Sequence, residues 1–432
     1  MKNKKLILLS LNELNFDLIK YYLKDKKFKN FSKIIDKISY TKSEVKYQLL
    51  EPWIQWVSIY TGKKAEQHKI FRLGDIVNYR KETIFDQIGK YYSVGAISPM
   101  NINNLESASY FIPDPWTNTT SDNNFWSKKI HSTISFFVKD NVHKSFSIKN
   151  YFNLLIIIIK FTSFKNIYLY IFLILTSVKY KWRRALFLDL LLNDIHLKLI
   201  NKKKVNFSNL FLNAFAHIQH HYLLLSPAIR NVNFKIPEWY KKNNIKDPLK
   251  EALFVYDKIL GDYLSMKDFK LIIATGLTQV PYNILKFYYR LKNHNIFFEK
   301  FNIKFFKVIE LMSRDFILEF KNNKVCKNAE VIIKNISLNN IKIFKVDNRG
   351  DNLFITLIYP YEITPKDKIF INNINNFNLI DFTSFVAIKN GMHSGKGFYY
   401  DNFSKRNVKN VVDIVEIKKN ILDFFYEKKL QS

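Results

Sequence analysis

Cysteine occurs once in this chain, at Cys326, so no disulfide can close within it and no thiolate metal cluster can be built. That usage predicts a reducing compartment, and a cytoplasmic location is expected. Glycine and proline occur ten times each in 432 residues, and there is no glycine-rich phosphate loop of the P-loop or dinucleotide type. Arginine is sparse and unclustered. No specific nucleic-acid partner is therefore expected, despite a formal net charge of +31. The lysine excess accompanies abundant Asn, Ile, Phe and Tyr, a slant that an AT-rich genome would impose on a solvated surface. Long apolar runs are missing too: the longest apolar region, near 153–184, is broken by Lys160 and Lys165 before reaching the roughly 20 residues that a spanning helix needs. It reads as a pair of buried or lid helices. The alternative is a helix lying on a membrane face, with Lys179, Lys181, Arg183 and Arg184 against anionic headgroups. The N-terminal MKNKKLILLSLNEL lacks a small-residue cleavage site after its short apolar run, and reads as a first buried strand.

What is present is a chain 47% hydrophobic and 16% aromatic, enough to bury a large core. Lys5–Leu11, Val94–Ile97 and Leu271–Ala274 are short, continuous apolar runs, as central parallel strands are. Helical patterns lie between them, over Asp17–Leu23, Phe31–Ile38, Thr83–Lys90 and Leu249–Leu264. Strands alternating with helices predict an α/β fold with a mostly parallel central sheet flanked by helices. Residues 1–112 and 205–432 form its expected core, and 113–204 a helical insertion or lid. The Asn-rich stretch Glu330–Ile380 is expected to add strands and loops at one edge of the sheet.

Polar residues interrupt these apolar runs at a few places. The first strand runs into Asn12-Glu13. The stretch EPWIQWVSIYTG, Glu51–Gly62, is too polar for a plain core strand and too aromatic for a plain loop. NLFLNAFAHIQHHYL places Asn213 and His217 one helical turn apart, with His217 and His221 also sharing a face. In that segment His220 or His221 also reads as a hydrogen-bonded core histidine beside Tyr222. GMHSGKGF sets His393 in a glycine-flanked loop. Thr275, Thr278 and Gln279 fall at the carboxyl edge of a strand, where open α/β sheets bind ligands. Arg314 reads equally as an anion holder and as a surface partner of Asp315 or Glu319.

Taken in order, Asn12-Glu13, the Thr61-Gly62 turn with Glu66 and His68, Asn213/His217 and His393 resemble the alkaline phosphatase superfamily, especially its nucleotide pyrophosphatase/phosphodiesterase-like branch. The resemblance spans nearly the whole chain. It implies an alkaline-phosphatase-like fold and a metal-assisted phosphoryl or sulfuryl transfer site. The position of the family's hydroxyl nucleophile is Pro52, and that of its late Asp-His pair is Thr275-Gly276. One divalent ion, zinc or manganese, is thus expected rather than two. Its candidate ligands are Asn12, Glu13, Asn213, His217 and His393. Glu51, His217 and His393 are the candidate catalytic groups; Trp53, Gln55, Thr275, Gln279 and Arg314 are candidates for holding substrate. Of Trp53 and Trp56, one is expected inward and one outward.

The expected function is that of a divergent phosphatase or phosphodiesterase-like hydrolase or group-transfer enzyme. Its expected substrate is small and anionic or glycan-type, phosphorylated or sulfated, with glycan- and lipid-linked forms included. The alternatives are a non-catalytic protein binding such a ligand in the same cleft, and a protein peripheral to an anionic membrane surface.

Overall fold

The structure, a computed structural model, describes residues 4–426 apart from 44–45, 140–146, 230–231, 243–245, 312–313, 372–374 and 405–406. Its centre is an eight-stranded sheet. Across the sheet the strands run Val412–Asp413, Ser39–Lys42, Lys396–Asp401, Lys270–Ala274, Leu6–Leu11, Phe207–Leu212, Val94–Ile97 and Tyr110–Ile112. The pairings are parallel except where Lys396–Asp401 meets its two neighbours. The reason is legible in LILLSL: every residue of this strand is buried, because Ile7, Leu9 and Leu11 face one apolar layer while Leu6 and Leu8 face the other. Helices Phe16–Tyr22, Arg183–Lys203, Ala214–Tyr222 and Pro248–Leu264 fill the first layer. Helices Pro52–Thr61, Ile84–Gly89 and Glu416–Tyr426 fill the second.

The stretch Glu330–Ile380 does not extend the central sheet. Its strands join two separate four-stranded antiparallel sheets, which share a second apolar core with the long ribbon Thr278–Leu291/Thr383–Ser394. Asn352–Leu357 shows why: its burial alternates residue by residue, the mark of a strand with one wet face, whereas the central sheet accepts strands dry on both faces.

Glu51–Gly62 is neither strand nor loop. Glu51 stands at the N-cap, Pro52 opens the helix where a missing N–H costs nothing, and Gly62 closes it in the left-handed conformation at φ 65°. The two tryptophans divide as expected. Trp56 is fully buried, and Trp53 is partly exposed with its indole N–H on the Phe71 carbonyl.

Polar groups inside the apolar layers are stitched together. His196 lies fully buried, with Nδ1 2.8 Å from the Tyr263 hydroxyl and Nε2 2.7 Å from Ser208 Oγ. Burial pushes it down to about 3, so the folded protein holds a neutral ring where the unfolded chain takes up a proton near pH 6.5. Its stabilising share is complete above pH 6.5 and is lost as the pH falls toward 3. Chemical denaturation at stepped pH should therefore show stability falling over this window by on the order of 2–4 kcal/mol from this residue. The His196→Gln protein should start less stable and show a shallower acid slope.

Candidate functional site

Strands Leu6–Leu11 and Phe207–Leu212 pair in parallel register up to Leu11 opposite Leu212, so the next residues, Asn12 and Asn213, emerge side by side at the carboxyl edge. Their amides join: Asn12 Nδ2 donates to Asn213 Oδ1 at 2.8 Å, and the buried Trp56 indole donates to Asn12 Oδ1 at 2.7 Å. Trp56 reaches this position because Gly276 has no side chain; a Cβ there would sit 3.2 Å from the indole. Asn12 and Asn213, both expected as metal ligands, thus satisfy one another and the indole.

Glu13 takes the other direction. It adopts φ 57°, a left-handed conformation that a glutamate occupies only under constraint, with its N–H on the Thr275 carbonyl at 3.0 Å. Its carboxylate is buried. One oxygen accepts from Asn12 Nδ2 at 3.1 Å and the other from the Gln279 side-chain amide. Gln219 Nε2 holds the Glu13 carbonyl at 2.8 Å.

Two imidazoles meet this carboxylate. His393 Nε2 is 3.5 Å from Glu13 Oε1, His220 Nε2 is 3.7 Å from Glu13 Oε2, and the two Nε2 atoms are 3.2 Å apart. His220 is fixed by its Nδ1, 3.0 Å from the Gly391 carbonyl. On its far side His393 presents Nδ1 to Glu51 Oε2 at 3.4 Å. Burial alone would depress His393, but Glu13 and Glu51 on either side raise it above the ordinary imidazole value. Burial alone would raise Glu13; His393, Gln279 and Lys389 outweigh it and hold the carboxyl below the usual range. Burial also raises Glu51, helped by Glu13 and opposed by His393.

The glycine-flanked segment carrying His393 is a strand, directly opposite Gln279 in the ribbon. Gly391 belongs to this packing, because a Cβ there would lie 1.9 Å from Gln279 Oε1. Two cations stand on the same side. Lys389 lies within electrostatic reach of Glu13, Glu51, Arg314 and Asp315; burial pushes it down to about 7, with Arg314 adding to the effect and the carboxylates opposing it. The Arg314 guanidinium stacks 3.6 Å above the Tyr288 ring, and the Lys389 ammonium is 5.5 Å from the same ring. Neither cation makes an ion pair among the described residues.

The structure therefore brings together Glu13, Glu51 and His393, with Gln279 holding Glu13 and Arg314 nearby. It does not bring His217 into this group: that residue is exposed, and its ring lies 4.7 Å from His221. Helix phase decides the difference. The face of Ala214–Tyr222 turned to the sheet edge carries Ala216, whose carbonyl accepts from Gln279, then Gln219 and His220. Gln55 ties back to the Leu49 carbonyl at 2.6 Å, Trp53 to Phe71, and the Thr275 hydroxyl accepts from the Phe398 N–H at 2.8 Å. These three brace the frame instead of facing a ligand. His220 and Lys389 are the functional residues that sequence reasoning missed.

The donor set fits a divalent ion. The ligand atoms of Glu13, His220 and His393 lie within 4.8 Å of one another. Their closest separations approach the roughly 3.3–3.6 Å edge of a tetrahedron with zinc–nitrogen and zinc–oxygen bonds of about 2.0–2.2 Å. Two histidines and one carboxylate leave a fourth position for substrate or water. The Gly391 carbonyl and Glu51 stand behind the imidazoles as orienting partners.

No family model and no curated protein matches the chain. Solved structures do. Phosphonoacetate hydrolase from Sinorhizobium meliloti 1021 in complex with phosphonoacetate is 9% identical, with 100% of this chain and 96% of that one covered at a TM-score of 0.38. Murine ectonucleotide pyrophosphatase/phosphodiesterase 5 is 10% identical, with 98% and 95% covered at 0.42. The alkaline phosphatase of the Antarctic bacterium TAB5 is 10% identical, with 97% and 97% covered at 0.40. All three belong to the superfamily that the sequence motifs resemble. Likeness at this distance says nothing of substrate or turnover, which rest on the side chains themselves.

The triad makes a sharp expectation. Equilibrium dialysis against zinc followed by elemental analysis should give about one equivalent per chain, consistent with a single three-ligand site. His220→Ala and His393→Ala should each abolish it, while His217→Ala should leave it intact.

Proposed function

We propose that the protein is a single-metal hydrolase of small anionic esters, phosphate esters foremost. The observation that carries this reading is the convergence of Glu13, His220 and His393, with Lys389 within electrostatic reach of Glu13 and Arg314 within reach of Lys389, neither cation making an ion pair among the described residues. A divalent ion held by the triad would supply Lewis-acid charge compensation on the ester oxygens. Lys389 and Arg314 would draw the anionic group toward the triad, the guanidinium by a two-pronged contact for which its stacking on Tyr288 orients it. Glu51, a third exposed on its side chain, would accept a proton from the attacking water at the mouth. With Pro52 at the start of the helix, there is no hydroxyl there to form a covalent intermediate, so direct attack by water is the simpler route.

A second reading has its own support. The closed Asn12–Asn213–Trp56 network fills the strand ends with neutral amides, which favours ligand binding without turnover. The two separate in one experiment. Zinc- or manganese-loaded protein should hydrolyse p-nitrophenyl phosphate or its bis-ester. Glu51→Gln should lower kcat by about 10²–10⁴-fold, and Lys389→Met should act mainly on KM. Phosphate binding that survives with no turnover of any ester would leave the binding protein as the answer.

A further inference from the structure

Nearly half of the large apolar side chains exposed among the described residues are gathered in one short segment, the helix pair Ile148–Phe161 and Ile167–Thr176 with the turn after it. Phe164 at the corner is 91% exposed, Tyr168 82% and Val178 79%; Phe152, Ile159 and Leu175 extend the patch. A soluble surface does not ordinarily leave so much apolar area in one place.

The segment is not an unpacked remnant of the core. Asp194, on the buried helix Arg183–Lys203, pins the corner between the two helices. It accepts from the Ser163 N–H at 2.8 Å, Asn166 Nδ2 at 2.7 Å and the Tyr170 hydroxyl at 3.1 Å. The far end is held as firmly. Arg183, fully buried, makes two hydrogen bonds to the Glu251 carboxylate at 2.9 and 2.6 Å and stacks 4.4 Å from both Phe172 and Tyr180. The inner face of each helix is buried, through Ile157 and Phe161 in one and Tyr170 and Leu173 in the other, so the outer face is displayed by design of the packing.

Among the described residues no single helix is long and apolar enough to cross a bilayer, and the pair is bent by 116° at its break. With its corner pinned by Asp194 and the inner face of each helix packed on the core, the pair offers its outer face to a surface. Charge identifies that surface. Between Asp140 and Asp189 the chain contains no acidic residue, while exposed Lys149, Lys179, Lys181 and Arg184 flank the patch. A second copy of the chain would set these cations against their own kind across a two-fold interface, whereas anionic headgroups would neutralise them.

We propose that the bent pair 148–178 docks the protein onto an anionic lipid surface, with the Phe164 corner and the outer faces of both helices in the headgroup–acyl boundary and the basic flank on the headgroups. The test is flotation of the full-length protein with vesicles of phosphatidylcholine alone or mixed with phosphatidylglycerol. Wild type should float with the anionic vesicles and much less with the neutral ones, and lose binding as salt rises. Replacing Phe164, Tyr168 and Leu175 by Asp, all exposed positions, should abolish flotation without changing the thermal melt. Lys179→Gln and Lys181→Gln should weaken partitioning by about fivefold per charge and flatten the salt dependence. Wild type remaining unbound, or the triple variant floating as well as wild type, would overturn the proposal. So would a wild-type dimer that the triple variant dissolves while neither form binds vesicles.

Discussion

A carboxylate held almost wholly out of water is the constraint on which the site depends. Glu13 sits in a strained left-handed conformation, and its charge must be matched by groups from elsewhere in the chain. Those groups arrive from four segments: the Asn12 amide beside it, Gln279 at the start of the long ribbon, His220 on a central-layer helix, and Lys389 with His393 on the returning strand. Because the ribbon is one long antiparallel pair, fixing Gln279 on Glu13 also fixes His393 opposite it. The buried charge thus helps tie the ribbon to the edge of the central sheet, beside the bonds of Asn15 to the Gln279 carbonyl and of the Leu224 N–H to Asn390.

Much of the frame was legible from residue pattern alone. Continuous apolar strands, helices between them and the carboxyl-edge position of Thr275 follow from periodicity and turn signals, while Asn12, Glu13 and Asn213 were marked by the family resemblance. The separate antiparallel sheets were not, because alternating Asn-rich strands carry the same signal at a sheet edge as in a small sheet of their own. Within the site, Glu13 and His393 were readable from order along the chain. His220 was not: three histidines fall within five positions, and spacing alone favours whichever pair matches a turn. Only the phase of the helix, set by Ala216 and Gln219 against the sheet edge, selects among them. Lys389 was hidden for a simpler reason. In a chain this rich in lysine, one residue on a strand has no distinguishing neighbour in sequence.

The amides at positions 12 and 213 leave Glu13 as the anionic member of the one group of side chains, among the described residues, that could hold a metal ion. An aspartate at either place would bring a charge needing a metal or a cation beside it. Asparagine replaces that need with a mutual hydrogen bond, and Trp56 supplies the remaining donor while its ring fills the space over Gly276. The network is neutral, buried at Asn12 and Trp56 and half-buried at Asn213, so it adds no formal charge beside Glu13. The negative charge at this edge is therefore carried by Glu13 and Glu51, with Lys389 within electrostatic reach of both.

The net charge of +31 divides along the same lines. Most of the lysines are solvated and carry no information beyond composition. Two groups differ from them by environment. Lys389 and Arg314 are partly buried against Tyr288 and make no ion pair among the described residues, although Glu13, Glu51 and Asp315 lie within electrostatic reach of Lys389. The cations around the bent helix pair border exposed aromatic and aliphatic side chains in a stretch of chain with no acidic residue between Asp140 and Asp189, the feature on which the proposed docking to anionic lipid rests. The helix Arg183–Lys203 connects the two: Asp194 on it pins the corner of the pair, while Asp189 on it accepts from the Ala214 N–H at 2.8 Å, at the start of the helix that carries His220. One buried helix therefore fixes both the displayed apolar face and one ligand of the proposed metal, so the orientation of the site relative to a docked surface is set by packing and not by a hinge.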